Sequence, residues 1–448
     1  MDKQGFISFL EENILSIFTG SYIEGEVPSS VRDSLVAQGK GGRLLVKFNK
    51  DDDYRIVIRK IQPFKTFEVS LVRSIITELI EVKSDNINDA YFSVLQKYII
   101  EKAICKSVSE TSYRTMLKIV SFMNEWASRT YEGNRVGFGI IVSNQRTDKT
   151  QENLHISNVL SEPFSAVLAD GIKTTMLVSY DGFLLDILDI PDTKNKNLYA
   201  PYDYVSFANM CVGTRTGVVL SEDGDILIFH NRTMVFAKKS GVWVRYGHEE
   251  VIEKIANNVN EESAQTRRAI YLSALDVSFA RTGGCVVHLD KDESKAVLKH
   301  IDETNVLGEL NYDIKCKQKL DVSFFNFSNA TEDPTIMPYA EFLQQDNCVK
   351  IASLMKLING RKFFQLSRKL RQELMAIDGA TIIDNEGDIV AIGAIIMIEA
   401  GGFSGGRLAA AKTLAKFGVS LKISNDGQIQ GFMLDKHKLR PIPIFMLG

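Results

Sequence analysis

The order of elements over the last ninety or so residues constrains this chain most. Ile389 to Ile398 is an apolar run broken only by Gly393. It falls well short of the roughly 20 residues that a membrane span needs, so it is expected to be a buried strand. Ahead of it stand a helical pattern from Phe363 to Met375, the turn Asp378-Gly379-Ala380 and a short strand from Thr381 to Ile383. Behind it come a Gly-rich stretch, a helix from Leu408 to Phe417 and a strand from Val419 to Ile423, with Gly418 placed to cap the helix. Strands interleaved with helices predict an α/β domain with a mixed sheet.

The upstream sequence has a different texture. Residues 1–130 are expected to be mainly helical, with helices over Phe6 to Phe18, Phe67 to Val82, Tyr91 to Cys105 and Tyr113 to Trp126. The β-branched residues of Phe67 to Val82 would also suit a strand. One strand pair, Arg43 to Phe48 with Tyr54 to Ile61, turns at Asp51-Asp52-Asp53. Residues 131–250 are β-rich, with short strands at Val136 to Ser143, Thr175 to Ser179 and Phe183 to Ile187. Hairpins follow at Glu222-Asp223-Gly224 and Ser240-Gly241, where turn residues separate alternating apolar runs. Residues 251–448 form the α/β region, opening with one long helix from about His248 to Ala280 and the strand Cys285 to Leu289. The polar segment Phe324 to Pro338 reads as an insertion into it. Three segments, LSEDGDILIF, IDNEGDIVAI and ISNDGQIQGF, share one hairpin pattern. Either the same turn chemistry recurs or a sheet module is duplicated.

Bulk charge narrows the function classes. The net charge of −3 gives no overall attraction to nucleic acid or to an anionic membrane. The N-terminal stretch lacks the basic and apolar regions of a secretory signal. Five scattered cysteines without a CxxC spacing give neither a disulfide framework nor a zinc site. A cytoplasmic location is the expectation.

Two stretches carry candidate chemistry. Gly401-Gly402-Phe403-Ser404-Gly405-Gly406-Arg407 lies between a buried strand and a helix. Glycines let backbone approach a bulky anion, and a helix start presents free N–H groups and partial positive charge. Ser404 can cap the helix or donate a hydrogen bond. Arg407 in the first turn opposes the helix dipole, a placement that an anion between the two would offset. The alternative is a loop with a solvated arginine. At Asp378-Gly379-Ala380, a carboxylate at the start of a central strand is placed to hold a metal or a ribose hydroxyl, and its small neighbours leave room for a ligand. The alternative is an ordinary turn aspartate. His288 inside its apolar strand is expected to be a satisfied core histidine. The basic cluster Arg361-Lys362, Arg368-Lys369 and Arg371 reads as a solvated helix face that can help hold phosphate.

Taken in order, Gly283-Gly284 before a strand, a helix, Asp378-Gly379-Ala380, a buried strand, Gly405-Gly406-Arg407 opening a helix, and a strand ending in Ser424-Asn425 resemble the diadenylate cyclase domain of DNA-integrity scanning proteins. The resemblance spans about residues 260–435 and rests on the order of several short motifs. It implies that Asp378 helps hold a divalent metal and activate a ribose 3′-hydroxyl, and that Gly379, Ala380 and Ser424 line a nucleotide site. It implies also that Gly405 and Arg407 hold phosphate. The family's Gly-Thr-Arg-His-Arg motif is depleted here: Gly406 stands for Thr, Leu408 for His and Ala409 for the second Arg. Asn425 replaces the downstream Glu. Phosphoryl transfer relies on such cations and carboxylates. The expectation is therefore a degenerate, sensor-type form of the domain, binding ATP, another adenine nucleotide or a cyclic dinucleotide with Mg or Mn. The output would pass through residues 1–250 or a trans-acting effector protein. The alternative is an active diadenylate cyclase joining two ATP molecules across a homodimer, with Asp378 as the catalytic carboxylate and Lys412 replacing a lost cation. A module without ligand, its pocket closed by Phe403 and Leu408, is the third reading.

Overall fold

The computed structural model describes residues 2–84, 89–131, 133–147, 154–162, 168–255, 261–301, 353–397, 405–435 and 437–448. The insertion expected at Phe324 to Pro338 and the stretch Gly401 to Ser404 lie outside the described residues. The chain divides into two compact units, Met1–Gly247 with Leu447–Gly448, and His248–Met446. No helix among the described residues is long and apolar enough to cross a membrane.

The first unit holds two main sheets. Strands β1 (Ser21–Pro28), β2 (Val36–Gln38), β3 (Leu44–Val46) and β4 (Tyr54–Lys60) pair antiparallel in the order β1-β4-β3-β2. The sequence showed only β3 and β4. Strand β1 is largely exposed and half polar, so it carries little apolar signal. Thr66–Ser84 is a helix despite its β-branched residues, because Val69, Val72, Ile76 and Leu79 fall at helical spacing and are buried together. Helices Asp89–Val108 and Tyr113–Trp126 follow. After a two-residue pair, β5 (Thr130–Tyr131) with β6 (Asn134–Arg135), come β7 (Phe138–Ser143), β8 (Thr174–Ser179), β9 (Leu184–Asp189), β10 (Thr216–Leu220), β11 (Ile226–His230), β12 (Thr233–Lys239) and β13 (Val242–Arg245). These seven run β13-β12-β11-β10-β7-β8-β9, and only β7–β8 is parallel. One hydrophobic core extends from Phe6 to Trp243, so the helical and β-rich regions share it. The buried Glu68 carboxylate binds them further, pairing with Lys60 at 2.6 Å and Arg245 at 2.9 Å.

The second unit is a six-stranded mixed sheet with helices on both faces. Its strands are β14 (Gly284–Leu289), β15 (Ala380–Ile383), β16 (Ile389–Ala394), β17 (Gly418–Ile423), β18 (Ile429–Asp435) and β19 (Arg440–Leu447), in the order β16-β15-β14-β17-β18-β19. Pair β14–β15 is parallel; β15–β16, β14–β17 and β17–β18 are antiparallel. Helix Gly406–Leu414 covers the face that carries Cys285, Val287 and Leu289, and Ser420 Oγ of β17 donates to Ala411 O of that helix. Helices Glu261–Phe279 and Arg368–Ala376 cover the other face, where Gly284 meets Met375 and Val277.

Several boundaries differ from the sequence reading. The single helix expected from His248 is two, His248–Ile252 and Glu261–Phe279. The helix expected from Phe363 is a 3-10 turn, Phe363–Gln365, followed by Arg368–Ala376, because the Ser367 side chain accepts from Leu370 N and starts a new helix. Strand β16 stops at Ala394, one residue after Gly393 turns to φ +65°; Ile396 then makes a single bridge to Ile301. Gly418 caps nothing. The helix ends at Leu414, and Gly418 opens β17, where an added Cβ would lie 2.2 Å from His288 O.

The three look-alike hairpins share one turn. Leu220 faces Ile226, Ile383 faces Ile389, and Ile423 faces Ile429. In each, the glycine has positive φ (Gly224 +82°, Gly387 +93°, Gly427 +87°) and its N–H donates to the carbonyl of Ser221, Asp384 or Ser424 respectively. The first and third join equivalent neighbours, β10–β11 and β17–β18, in two sheets of matching arrangement. The runs β9-β8-β7-β10-β11 and β16-β15-β14-β17-β18 each hold one parallel pair, β7–β8 or β14–β15, among antiparallel neighbours, so the shared pattern accompanies a repeated sheet topology as well as a common turn.

The Arg368 guanidinium is buried and binds Asp276 with two bonds of 2.7 Å. Arg371, also buried, donates to Ser273 Oγ and to the Phe364 and Leu366 carbonyls. The basic cluster of the sequence reading is thus split. Its two central arginines join helices and are not a solvated face open to phosphate. Arg368→Ala leaves a buried carboxylate without its principal partner and is expected to cost about 3–5 kcal/mol in urea unfolding. The double replacement Arg368→Met with Asp276→Leu is expected to restore much of that loss.

Candidate functional site

A cleft of about 580 Å³ opens beside the sheet of the second unit. Four short segments and the start of a helix line it. Cys285 comes from the start of β14, Asp378 and Gly379 from the residues before β15, Ala394 to Ile396 from the end of β16, and Lys422 from near the end of β17. Gly405, Gly406, Arg407, Leu408 and Ala410 come from the start of helix Gly406–Leu414. The cleft therefore sits at the amino ends of the parallel pair β14–β15, opposite to the usual carboxyl-end crevice of doubly wound sheets.

The two stretches singled out in the sequence meet here, although 26 residues separate Gly379 and Gly405 in number. Gly405 is the N-cap, and no side chain caps the helix. Leu408 and Ala409 N–H both turn back to Gly405 O, which leaves the N–H groups of Gly406 and Arg407 directed out of the helix end. A Cβ added at Gly405 or Gly406 would meet nothing within 4 Å. Packing does not demand glycine at either position, and its effect there is to keep the cleft open.

Gly379 is different. It holds φ +100°, and an added Cβ would come within 2.4 Å of the Gly393 backbone. The chain needs this glycine so that the residues before β15 can lie against β16. Ala380 is fully buried in the core and does not line the cleft. Asp378 is exposed, with no hydrogen bond or ion pair to another described residue, so its carboxylate is available at the cleft wall.

Arg407 is half-buried and donates from Nη1 to Asn425 Oδ1. Both atoms rest on Gly283, where a Cβ would lie 2.3 Å from each. Gly283, at φ +72°, thus serves as the seat for this clasp. The arginine is held at the helix start in spite of the dipole, with its charge facing the cleft.

Ser424 does not line the cleft. Its hydroxyl donates to Asp426 and to Gln428 O inside the hairpin turn. Ser221 and Asp384 hold the same place in the other two turns, where their side chains instead accept from backbone N–H groups. Ser424 is a turn residue, and its neighbour Asn425, also outside the cleft lining, acts on the site through its bond to Arg407. Ser404 lies outside the described residues. Lys412 is exposed on the helix and is not part of the cleft wall.

Besides the apolar lining, Lys422 and Cys285 escaped the sequence reading. Lys422 is the cross-strand partner of Cys285 and brings a second cation into the cleft. Its signal was a single charge inside the otherwise uncharged strand Gly418–Ile423. Cys285 forms part of the floor, and burial pushes its thiol up to about 12, so it stays protonated and unreactive. Leu408 lines the cleft without closing it.

Among the described residues, no three His, Cys, Asp or Glu side chains are grouped to hold a metal ion. Asp378 is the one carboxylate among the described lining residues. That donor set fits Mg or Mn arriving with phosphate oxygens, since such ions are commonly held by one or two carboxylates plus substrate phosphate and water.

His288 faces away from this cleft, on the side of helix Glu261–Phe279. It is buried, but neither ring nitrogen has a hydrogen-bond partner, so it is not the satisfied core histidine expected. Burial, reinforced by the Arg267 charge, lowers its pKa to about 4. The unfolded chain takes up this proton near pH 6.5. Stability is therefore complete above about pH 6.5 and falls as the pH drops toward 4, by about 3 kcal/mol. Urea midpoints for wild type and His288→Leu between pH 7 and 4 test this: the variant is expected to lose less stability over the window.

Compared with known proteins, the chain matches no protein-family model, no curated protein and no solved structure.

Proposed function

We propose that the second unit is a nucleotide-binding sensor domain that takes an adenine nucleotide or a cyclic dinucleotide. The observation that carries this reading is the meeting of Asp378-Gly379 with Gly405-Gly406-Arg407 around one cleft. An anion there meets two free helix N–H groups, the Arg407 guanidinium and the Lys422 ammonium. The floor of Cys285, Ile395, Ile396 and Leu408 is apolar and suits a base or ribose face. The volume lies within the usual range of about 300–1,000 Å³ for small-molecule sites. The resemblance to diadenylate cyclases supports the same reading, and the loss of its His and second Arg favours sensing over turnover. The signal would leave through the first unit or through an effector protein.

An active diadenylate cyclase is the second reading, and the available Asp378 carboxylate is what favours it. With Mg or Mn bound alongside ATP, the metal would supply charge neutralisation at the phosphates. Asp378 would hold it and orient the ribose hydroxyl, while Arg407 and Lys422 would bind the polyphosphate.

Thermal-shift measurements with ATP and cyclic di-AMP, with and without Mn²⁺, test both. A bound nucleotide is expected to raise the melting temperature increasingly above its dissociation constant. Arg407→Ala is expected to weaken binding by about 10- to 100-fold, the loss of one or more charged hydrogen bonds. Lys422→Ala and Asn425→Ala are expected to weaken it less. Mass spectrometry of the ATP samples then separates sensor from cyclase: product that disappears in Asp378→Asn would establish the cyclase. No shift with any nucleotide would sink both readings.

A further inference from the structure

The first unit carries a larger groove that the nucleotide reading does not use. It measures about 960 Å³ and runs between helices Asp89–Val108 and Tyr113–Trp126, which form a helical hairpin joined at Ser109–Ser112. Its apolar lining is unusually open for two packed helices. Val94 is 66% exposed and Tyr98, one turn further on the same stripe, is 50% exposed. Leu117, from the second helix, forms the floor between them.

Charge around this groove is one-sided. Lys97 and Lys118 are exposed and engage no carboxylate among the described residues. Arg114 is exposed too; it donates to the Tyr113 hydroxyl at 3.1 Å and lies over that ring. The acid and the remaining lysine of the groove are already engaged. Glu101 binds Lys238 at 2.8 Å, and Lys102 binds Glu78 at 3.0 Å. The uncompensated charge is therefore that of Lys97, Arg114 and Lys118, arranged beside a stripe of exposed apolar surface.

We propose that this groove docks an acidic amphipathic helix of a partner protein. Leucine-like side chains at i, i+3 or i+4, and i+7 would cover Val94, Tyr98 and Leu117, and flanking Asp and Glu would meet the three cations. A nucleic acid is the disfavoured occupant. The chain carries a net charge of −3, which gives no long-range field for a polyanion. This inference stands independently of the nucleotide-binding reading.

The test is a display selection of random peptides of about 15 residues, roughly four helical turns, on the full chain. Binders to the Lys97→Glu, Lys118→Glu double variant are removed in each round. The expected survivors carry apolar residues at helical spacing with acids on either side. A fluorescein-labelled survivor is expected to bind wild type at least about tenfold more tightly than the double variant, and to weaken with added salt. Lys97→Gln with Lys118→Gln, checked by circular dichroism and melting temperature, gives the same comparison without charge reversal. Val94→Asp is expected to abolish binding. An empty selection, survivors without acids, equal binding to the glutamine variant, or tighter binding of labelled single-stranded RNA than of any survivor would overturn the proposal.

Discussion

The buried pairing of Arg368 with Asp276 is the interaction around which the second unit is arranged. It joins the helix before β14 to the helix before β15, and the two strands are parallel neighbours in the sheet. A parallel pair needs a crossover connection, and here the helix that leads into the second strand is tied to the helix that leads into the first. Both helices are thereby committed to one face. The opposite face is left to helix Gly406–Leu414, whose uncapped start forms one side of the cleft. Desolvating two charges is costly, so such a pair favours one arrangement of the helices more than it adds net stability.

Glycines around the cleft act in two different ways. Gly379 and Gly283 are required by backbone geometry: one lies against Gly393, the other under the Arg407–Asn425 clasp. Gly405 and Gly406 leave space that packing does not fill. A motif such as Asp-Gly-Ala therefore mixes roles. Asp378 faces the cleft, Gly379 satisfies the chain, and Ala380 fills the core.

Much of this architecture was legible in the sequence, because apolar periodicity and turn residues report it directly. The helix Tyr113–Trp126 and the hairpins at Gly224 and Gly427 lie where their patterns place them. The mixed α/β character followed from strands alternating with helices. What was not legible depended on partners distant in sequence. Strand β1 is half polar and is recognisable only once β4 is beside it. Gly418 looked like a helix cap, yet its smallness serves the His288 carbonyl across the sheet. The charges of Arg368 and Arg371 suggested a wet helix face, and only Asp276 and Ser273, some 90 residues earlier, turn them inward. Lys422 was hidden for the opposite reason. A lone lysine in a strand looks incidental until Cys285 and Arg407 appear on the same wall.

The hairpin turn from Ser424 to Gln428 has an effect beyond closing two strands. Its internal hydrogen bonds fix the backbone on either side of Asn425, and Asn425 in turn fixes the guanidinium of Arg407. A free arginine side chain loses up to about 2 kcal/mol of rotamer entropy when a ligand immobilises it. Here that ordering accompanies folding, so under the proposed reading an arriving anion would meet a donor already aimed. Under the proposed nucleotide-binding reading, recognition at the cleft would be prepared by a β-turn that does not line it, and the speed and selectivity of capture would be tied to the rigidity of that turn.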